Sequence, residues 1–179
     1  MNISRRQFLS RSAVLGAGLY LPGSALASWA TEPERSLNLY NTHTGESLKR
    51  VFWAEGAFIP ESLAEINKLL RDHRTNDVAA IDPQLLMLLG NITNLASPGE
   101  TLHVISGYRS PQSNQALADQ SNGVAKHSLH MDGKAIDIRI PGRDLAYLRD
   151  SALSLKRGGV GYYPKSQFVH VDTGRVRSW

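Results

Sequence analysis

Two short apolar segments near the end of the sequence carry ionisable side chains where a buried strand would normally hold only aliphatic residues. The first is SLHMDGKAID, residues 128–137, and the second is FVHVD, residues 168–172. A carboxylate in an apolar strand is costly to bury unless it is paired or binds a metal ion. A fold that buries these segments must therefore bring their ionisable groups together; the alternative is a half-exposed strand whose aspartate faces solvent.

The two segments supply two imidazoles and two carboxylates. Two histidines and one aspartate can hold a zinc ion and leave its fourth position open for water, as in catalytic rather than structural zinc sites. His130 and Asp137 are seven residues apart, so they are not a helical pair. Gly133 lies between them and can bend the chain, so that His130 folds back over a strand that carries Asp137.

The second segment places an imidazole and a carboxylate on the same face, because strand alternation groups Phe168, His170 and Asp172. A lone histidine in a strand is usually a hydrogen-bonded core residue, but an acid beside it favours a metal ligand with a neighbouring base or orienting group. Asp172 could accept a proton from metal-bound water, orient a ligand, or cap the turn that follows. We expect the catalytic role for Asp172.

Arg109 follows a predicted strand, in the tight turn of the segment SGYRS at residues 106–110. A fixed guanidinium can hold a carboxylate in a bidentate pair or stabilise the oxyanion of a tetrahedral intermediate. A local salt bridge is the alternative. His127 is a candidate for an extra metal ligand or a hydrogen-bond donor to the ligands, although a histidine at such a position more often faces solvent. His73 is expected at the solvated end of the first predicted helix.

The first 27 residues are typical of an export signal. Residues 4–9, SRRQFL, form a twin-arginine pattern, and the apolar stretch 13–21 is shorter than the ~20 residues that span a bilayer. Ala25-Leu26-Ala27 matches a signal-peptidase site, so we predict cleavage after Ala27; an uncleaved anchor is the alternative. We expect export through the twin-arginine pathway to the periplasm, a polar linker at 28–35 and one folded domain at 36–179.

Composition limits the remaining function classes. Removing the three arginines of residues 1–27 from the 20 basic residues leaves 17 against 16 acidic residues, a net charge of +1. The sequence shows no basic stripe, so nucleic acid is not an expected partner. The chain has no cysteine, which excludes disulfides and thiolate ligands, so a metal must use His, Asp, Glu or water.

Hydrophobic periodicity and turn residues predict an α+β fold, a small single domain with helices packed on a mainly antiparallel sheet. The expected strands are residues 36–40 and 48–53, which form a hairpin, then 101–106, 134–140, 158–163 and 168–171. The expected helices are Pro60 to about His73, one that opens at Asp82-Pro83, about 112–120, and about 145–156.

SGYRS, SLHMDGKAID and FVHVD, in this order, resemble the segments of the M15-type zinc D-Ala-D-Ala carboxypeptidases, which carry an SxHxxGxAxD motif and a second histidine in a late strand. The murein endopeptidase K group in particular has segments like GVGYYP at 159–164 and FVHVDTG at 168–174. The resemblance extends over nearly the whole mature chain, from LYNTHTGE at 39–46 to Trp179.

This resemblance implies that His130, Asp137 and His170 bind one Zn²⁺ ion and that Arg109 binds the substrate or its oxyanion. It also implies the small α+β fold shared by hedgehog-like and D,D-peptidase domains. The implied reaction is hydrolysis of peptide cross-links of peptidoglycan, between two diaminopimelate residues or between D-alanine and diaminopimelate. Such a protein acts during cell-wall growth or remodelling.

The chain departs from many of these relatives at the general base. They place a glutamate three residues before the last zinc histidine or a histidine two residues before it, and those positions are Gln167 and Phe168 here. Neither side chain can act as a base. Asp172 is therefore our candidate, and it would need to lie within hydrogen-bond reach of the metal-bound water.

Two other functions remain open at this point. One is a non-catalytic module that binds peptidoglycan or regulates another enzyme and keeps the metal site without the base. The other is a lysozyme-like glycosidase, in which Asp137 and Asp172 would flank a sugar bond. For the leading hypothesis we expect peptidoglycan stem peptides as partners, a monomer, and no stable membrane insertion after signal cleavage.

Overall fold

One mixed sheet forms the centre of the structure, a computed structural model that describes residues 34–120 and 125–179. The described strands are β1 (Arg35–Asn41), β2 (Ser47–Ala54), β3 (Ala57–Phe58), β4 (Leu102–Ser106), β5 (Ala135–Arg139), β6 (Gly159–Tyr163), β7 (Phe168–Asp172) and β8 (Arg177–Ser178). The helices are α1 (Pro60–Leu69), α2 (Pro83–Ala96), α3 (Pro111–Gln120) and α4 (Leu145–Ser154), with a short 3-10 helix at Leu129–Asp132. The predicted export signal at 1–27 and nearly all of the predicted linker lie outside the described residues.

The strand order in this sheet is β3-β2-β1-β4-β5-β7-β6-β8. Most neighbours are antiparallel, and this confirms the predicted α+β class with a mainly antiparallel sheet. Two pairings are parallel, β1 with β4 and β6 with β8; the short strands β3 and β8 were not predicted from the sequence. The β1–β2 hairpin forms as predicted, closed by the turn between Asn41 and Glu46.

One face of the sheet is aliphatic and forms the core. Alternate strand residues point to it and are almost fully buried: Leu37, Leu39, Leu102, Val104, Ile136, Ile138, Val160, Val169 and Val171. Helix α2 contacts β1, and α4 contacts β6 and β7. The opposite face of the central strands is thereby left to carry polar side chains. No helix in the described ranges has the length and apolar character needed to cross a bilayer.

A helix boundary can be predicted from the sequence where neighbouring residues in the chain form the cap. Helix α2 begins as predicted, because the Asp82 side chain accepts a hydrogen bond from the Gln84 N–H and Pro83 occupies the first turn. Helix α1 ends at Leu69, so the prediction that it continues to about His73 was wrong. The Leu70 carbonyl instead accepts a hydrogen bond from the Tyr108 N–H, 2.8 Å away.

Because α1 ends at Leu69, the segment that follows it can support the turn that carries Arg109. The buried Asp72 carboxylate accepts hydrogen bonds from the Arg74 N–H at 2.9 Å and the Ser110 N–H at 2.8 Å. The segment after α1 therefore holds both sides of Arg109, through the backbone of Tyr108 and of Ser110. A longer helix would remove this support, so tertiary hydrogen bonds override the local helical pattern here.

Candidate metal centre

Two of the three predicted ligands are direct neighbours across the sheet. Asp137 of β5 pairs with His170 of β7, at the centre of the polar face. His130 comes from the 3-10 helix, which Gly133 ends in a left-handed conformation with φ 65°. A Cβ on Gly133 would lie 2.2 Å from the Ala80 carbonyl oxygen, so only glycine fits this bend. The bend brings His130 over β5, as the sequence predicts.

One atom from each predicted ligand residue lies close to the corresponding atoms of the other two. His130 Nε2 lies 3.3 Å from Asp137 Oδ1 and 3.3 Å from His170 Nδ1, and His170 Nδ1 lies 2.9 Å from Asp137 Oδ1. A tetrahedral zinc ion with bonds of about 2.0–2.1 Å separates its ligand atoms by about 3.3 Å. The three atoms therefore have close to the spacing of one face of such a tetrahedron.

The outer nitrogens of both histidines are held by acceptors. His130 Nδ1 donates to the Gly107 carbonyl at 2.8 Å, and His170 Nε2 donates to Asp172 Oδ2 at 3.1 Å. In a neutral imidazole one nitrogen donates and the other carries a lone pair. When both rings are neutral, the lone pairs of their inner nitrogens therefore point at the Asp137 oxygen, an arrangement that a bound cation stabilises. Outer acceptors of this kind are typical of metal-binding histidines.

The electrostatics of the centre favour positive charge where the three atoms meet. Burial opposes ionisation of Asp137, but the neighbouring His130 and His170 outweigh it and hold the pKa of Asp137 below its usual value. Burial also lowers the pKa of His170, yet hydrogen bonds with Asp137 and Asp172 more than compensate and raise it. The carboxylates are therefore ionised at neutral pH.

Asp172 is fully buried, and both of its oxygens accept hydrogen bonds from neighbouring groups. Its Oδ1 accepts from the N–H groups of Gly159 and Gly174 at 2.9 and 2.8 Å, and Arg177 Nη1 lies 3.1 Å away. Its Oδ2 accepts from Arg177 Nη2 at 2.7 Å and from His170. These bonds outweigh burial and hold the pKa of Asp172 below its usual value. The general-base role predicted from the sequence stays a prediction.

Arg109 lies beside the three predicted ligands, and its substrate-binding role stays a prediction. Its Nη2 is 3.8 Å from Asp137 Oδ2 and donates to Ser106 Oγ at 3.3 Å, and its N–H donates to the His130 carbonyl at 3.2 Å. Burial lowers the pKa of Arg109, and the nearby Asp137 opposes that shift. Among the described residues no acceptor pairs with its buried Nε.

A cavity of about 460 Å³ opens over these groups. Arg109, His130, Asp137 and His170 all line it, whereas the buried Asp172 lies behind His170. His127 also lines the cavity but is exposed and is not among the three converging groups, in agreement with its expected solvent-facing position. The arrangement can hold one cation at the base of a cleft, with an arginine beside it.

Sequence reasoning missed three residues at this cleft. Tyr163 and Trp179 line it directly, and Arg177 lines it while pairing with Asp172. The available signal was the segment GVGYY of β6, because glycines inside a strand often mark a close approach by another group. A Cβ on Gly161 would lie 2.7 Å from the Trp179 ring.

Comparison with known proteins agrees with the geometry. The M15 peptidase family model described as peptidoglycan L,D-endopeptidase MepK matches residues 29–179. Peptidoglycan L,D-endopeptidase MepK of Escherichia coli strain K12 is 43% identical over 176 residues, which cover 98% of this chain and 97% of that protein. The probable peptidoglycan L,D-endopeptidase MepK of Haemophilus influenzae is 45% identical over 177 residues, covering 98% and 95%. The chain therefore belongs to the M15 peptidase family of peptidoglycan L,D-endopeptidase MepK.

Proposed function

We propose that this protein is a zinc-dependent murein endopeptidase that hydrolyses peptide cross-links between stem peptides of peptidoglycan. The observation that carries the proposal is the convergence of His130 Nε2, Asp137 Oδ1 and His170 Nδ1 within 3.3 Å of one another. The names of the relatives support peptidoglycan as the substrate class and an L,D-bond as the one cleaved. That bond class includes the link between two diaminopimelate residues.

The donor set fits zinc better than other common divalent ions. Two imidazole nitrogens and one carboxylate oxygen suit zinc, whereas magnesium and calcium prefer oxygen ligands only. When bound, zinc would act as a Lewis acid and lower the pKa of a coordinated water, which supplies a nucleophile for amide hydrolysis. The three protein ligands leave the cleft side of the site for water and substrate.

Arg109 supplies the positive charge that the substrate needs. Its side chain lines the cleft, and its Nη2 lies 3.8 Å from Asp137 Oδ2. A guanidinium fixed in this way can donate to a substrate carboxylate or to the carbonyl oxygen of the scissile bond. We assign Arg109 this role, in either the ground state or the transition state.

Asp172 acts through His170 rather than on water. Both of its oxygens already accept hydrogen bonds from the protein, and the side chain has no exposed surface. A general base must reach the proton it removes, either directly or through one water. We therefore propose that Asp172 orients the imidazole of His170 and fixes its tautomer, one of the roles weighed from the sequence.

The site of action follows from the substrate. Peptidoglycan lies outside the cytoplasmic membrane, and the twin-arginine pattern with Ala25-Leu26-Ala27 offers a route there. We propose export to the periplasm by the twin-arginine pathway, with cleavage after Ala27. Peptide sequencing of the N-terminus of protein recovered from the periplasm tests this, and an intact Arg5-Arg6 pair there would contradict it.

The decisive experiment is digestion of purified cross-linked muropeptide dimers, with products identified by mass spectrometry. The protein should release monomers, lose this activity with a chelator, and regain it with zinc. His130→Ala should abolish both metal retention and cleavage, whereas His127→Ala, a cavity-lining histidine outside the ligand set, should keep both.

Other outcomes select other functions. If the protein binds the dimers but does not cleave them with any divalent metal, it functions as the non-catalytic peptidoglycan-binding module. Chelator-insensitive products with new reducing ends would indicate a glycosidase.

A further inference from the structure

Three aromatic side chains form one wall of the cleft beside His170. Tyr163, Phe168 and Trp179, here called the aromatic wall, all line the same cavity as the metal ligands. The rings of Tyr163 and Phe168 stack with centroids 4.6 Å apart, and the Trp179 ring lies 5.3 Å from the His170 ring. Trp179 nevertheless remains 50% exposed. A half-exposed indole beside a catalytic centre offers contact area to a ligand.

The position of the Trp179 indole is fixed by several contacts. Its backbone N–H donates to the Val160 carbonyl at 3.2 Å, and its carbonyl accepts from the Tyr162 N–H at 3.0 Å. The guanidinium of Arg177 lies over the ring, 4.8 Å from its centre. Gly161 provides the room, because a Cβ there would clash with the ring. These contacts hold the indole in place beside His170, while half of the surface of the Trp179 residue remains accessible.

The hydroxyl of Tyr163 is oriented by this indole. Trp179 Nε1 donates a hydrogen bond to Tyr163 Oη at 2.7 Å. An indole N–H only donates, so the tyrosine oxygen must accept, and its own proton points elsewhere. Among the described residues no acceptor receives that proton. Tyr163 and Arg109 line the same cavity, so both groups face the space where a ligand would lie.

We propose that Tyr163 and Trp179 are substrate-binding residues of this endopeptidase. The Tyr163 hydroxyl donates a hydrogen bond to a carbonyl or carboxylate of the stem peptide near Arg109, and the Trp179 indole contacts its aliphatic part, such as the methylene chain of diaminopimelate. Trp179 also positions Tyr163 through the N–H bond. The inference rests on the proposed function for the identity of the substrate.

Kinetics on a purified muropeptide dimer test the hydrogen bond. Tyr163→Phe keeps the stacked ring and removes only the hydroxyl, so kcat/KM should fall about 3- to 10-fold with zinc content unchanged. Tyr147→Phe is the matched control, because Tyr147 is 52% exposed on α4 and lies outside the cavity; its kcat/KM should not change. Wild-type kcat/KM in Tyr163→Phe would overturn the proposal.

A double variant tests the link between the two residues. Trp179→Phe retains an aromatic ring but loses the N–H that orients Tyr163. If loss of this N–H is the main effect of Trp179→Phe, the kcat/KM of the Tyr163→Phe, Trp179→Phe double variant should be within about twofold of that of the worse single variant. Fully multiplicative losses would refute the orienting role. Trp179→Ala should raise KM more than Trp179→Phe does, because it also removes the apolar contact.

Calorimetry of muropeptide dimer binding to the metal-free protein, prepared with a chelator, separates this inference from the proposed function. If the wild-type protein binds but never cleaves, the endopeptidase proposal fails, and weaker binding by Tyr163→Phe still supports the aromatic wall. If the protein cleaves and both aromatic variants behave as wild type, the proposed function stands and this inference fails. A protein that neither binds nor cleaves refutes both.

Discussion

Replacing Asp172 by asparagine distinguishes an orienting group from a general base. The carboxylate accepts five hydrogen bonds: from the N–H groups of Gly159 and Gly174, from both terminal nitrogens of Arg177, and from His170 Nε2. Asparagine has nearly the same shape but only one oxygen. Its amide nitrogen must therefore face N–H donors on one side, whichever way the side chain is turned.

The contacts of Asp172 set the expected losses of zinc affinity and of folding stability in Asp172→Asn. Loss of an acceptor behind a metal-binding histidine typically weakens metal binding 10- to 100-fold, which is about 1.4–2.8 kcal/mol. Removing one partner of a fully buried ion pair costs about 3–5 kcal/mol. The Arg177 side chain is 30% exposed and can turn toward water, so we expect a loss of about 1–2 kcal/mol in folding stability.

Chelator competition measures the zinc affinity of Asp172→Asn, and urea unfolding of the metal-free protein measures its stability. Asp150→Asn is the matched control, since Asp150 is largely exposed and, within the part of the chain that the structure describes, forms an ion pair with the neighbouring Arg149 alone. Both affinity and stability should be unchanged in that control. Unaltered zinc affinity in Asp172→Asn together with lost turnover would refute the orienting role and restore Asp172 as the base.

Three further predictions concern the surroundings of the centre. Arg109→Gln should lower kcat about 10²- to 10³-fold in steady-state assays while metal analysis shows unchanged zinc, because an electrostatic donor is lost; equal kcat would contradict its role. Gly133→Ala should destabilise the fold by at least about 2 kcal/mol in urea unfolding, since its Cβ would meet the Ala80 carbonyl at 2.2 Å and φ is positive. Burial, with the charges of His43 and Arg74, lowers the pKa of His73 to about 4, so the unfolded chain binds more protons than the folded one between about pH 4 and 6.5. Folding stability should therefore fall by about 1 kcal/mol as pH drops through that window, after allowance for solvent screening, and His73→Gln should remove this slope in pH-dependent unfolding.

The sequence was most informative where the relevant interactions are local. The start of α2 is set by Asp82 and Pro83, which are adjacent in the chain, and its prediction was confirmed. The convergence of the three predicted ligand residues could also be predicted, because two charged segments in apolar strands have few satisfactory arrangements other than a shared site. Gly133 pointed to the bend that makes this possible.

Long-range contacts account for what sequence reasoning could not reach. Helix α1 ends early because the Leu70 carbonyl accepts a hydrogen bond from Tyr108, almost forty positions away in the chain. No local sequence pattern predicts that hydrogen bond. The parallel pairing of β1 with β4 likewise joins segments separated by two helices. Strand β8 has only two residues, so neither its pairing with β6 nor the placement of Trp179 in the cleft has a periodic signal.

Elemental analysis of the purified protein measures the cation on which the proposed hydrolysis depends, the one held by His130, Asp137 and His170. We expect one zinc ion per wild-type chain after dialysis and none in His170→Ala, with both proteins folded by circular dichroism. A folded wild-type protein that takes up no zinc yet cleaves muropeptide dimers would contradict it.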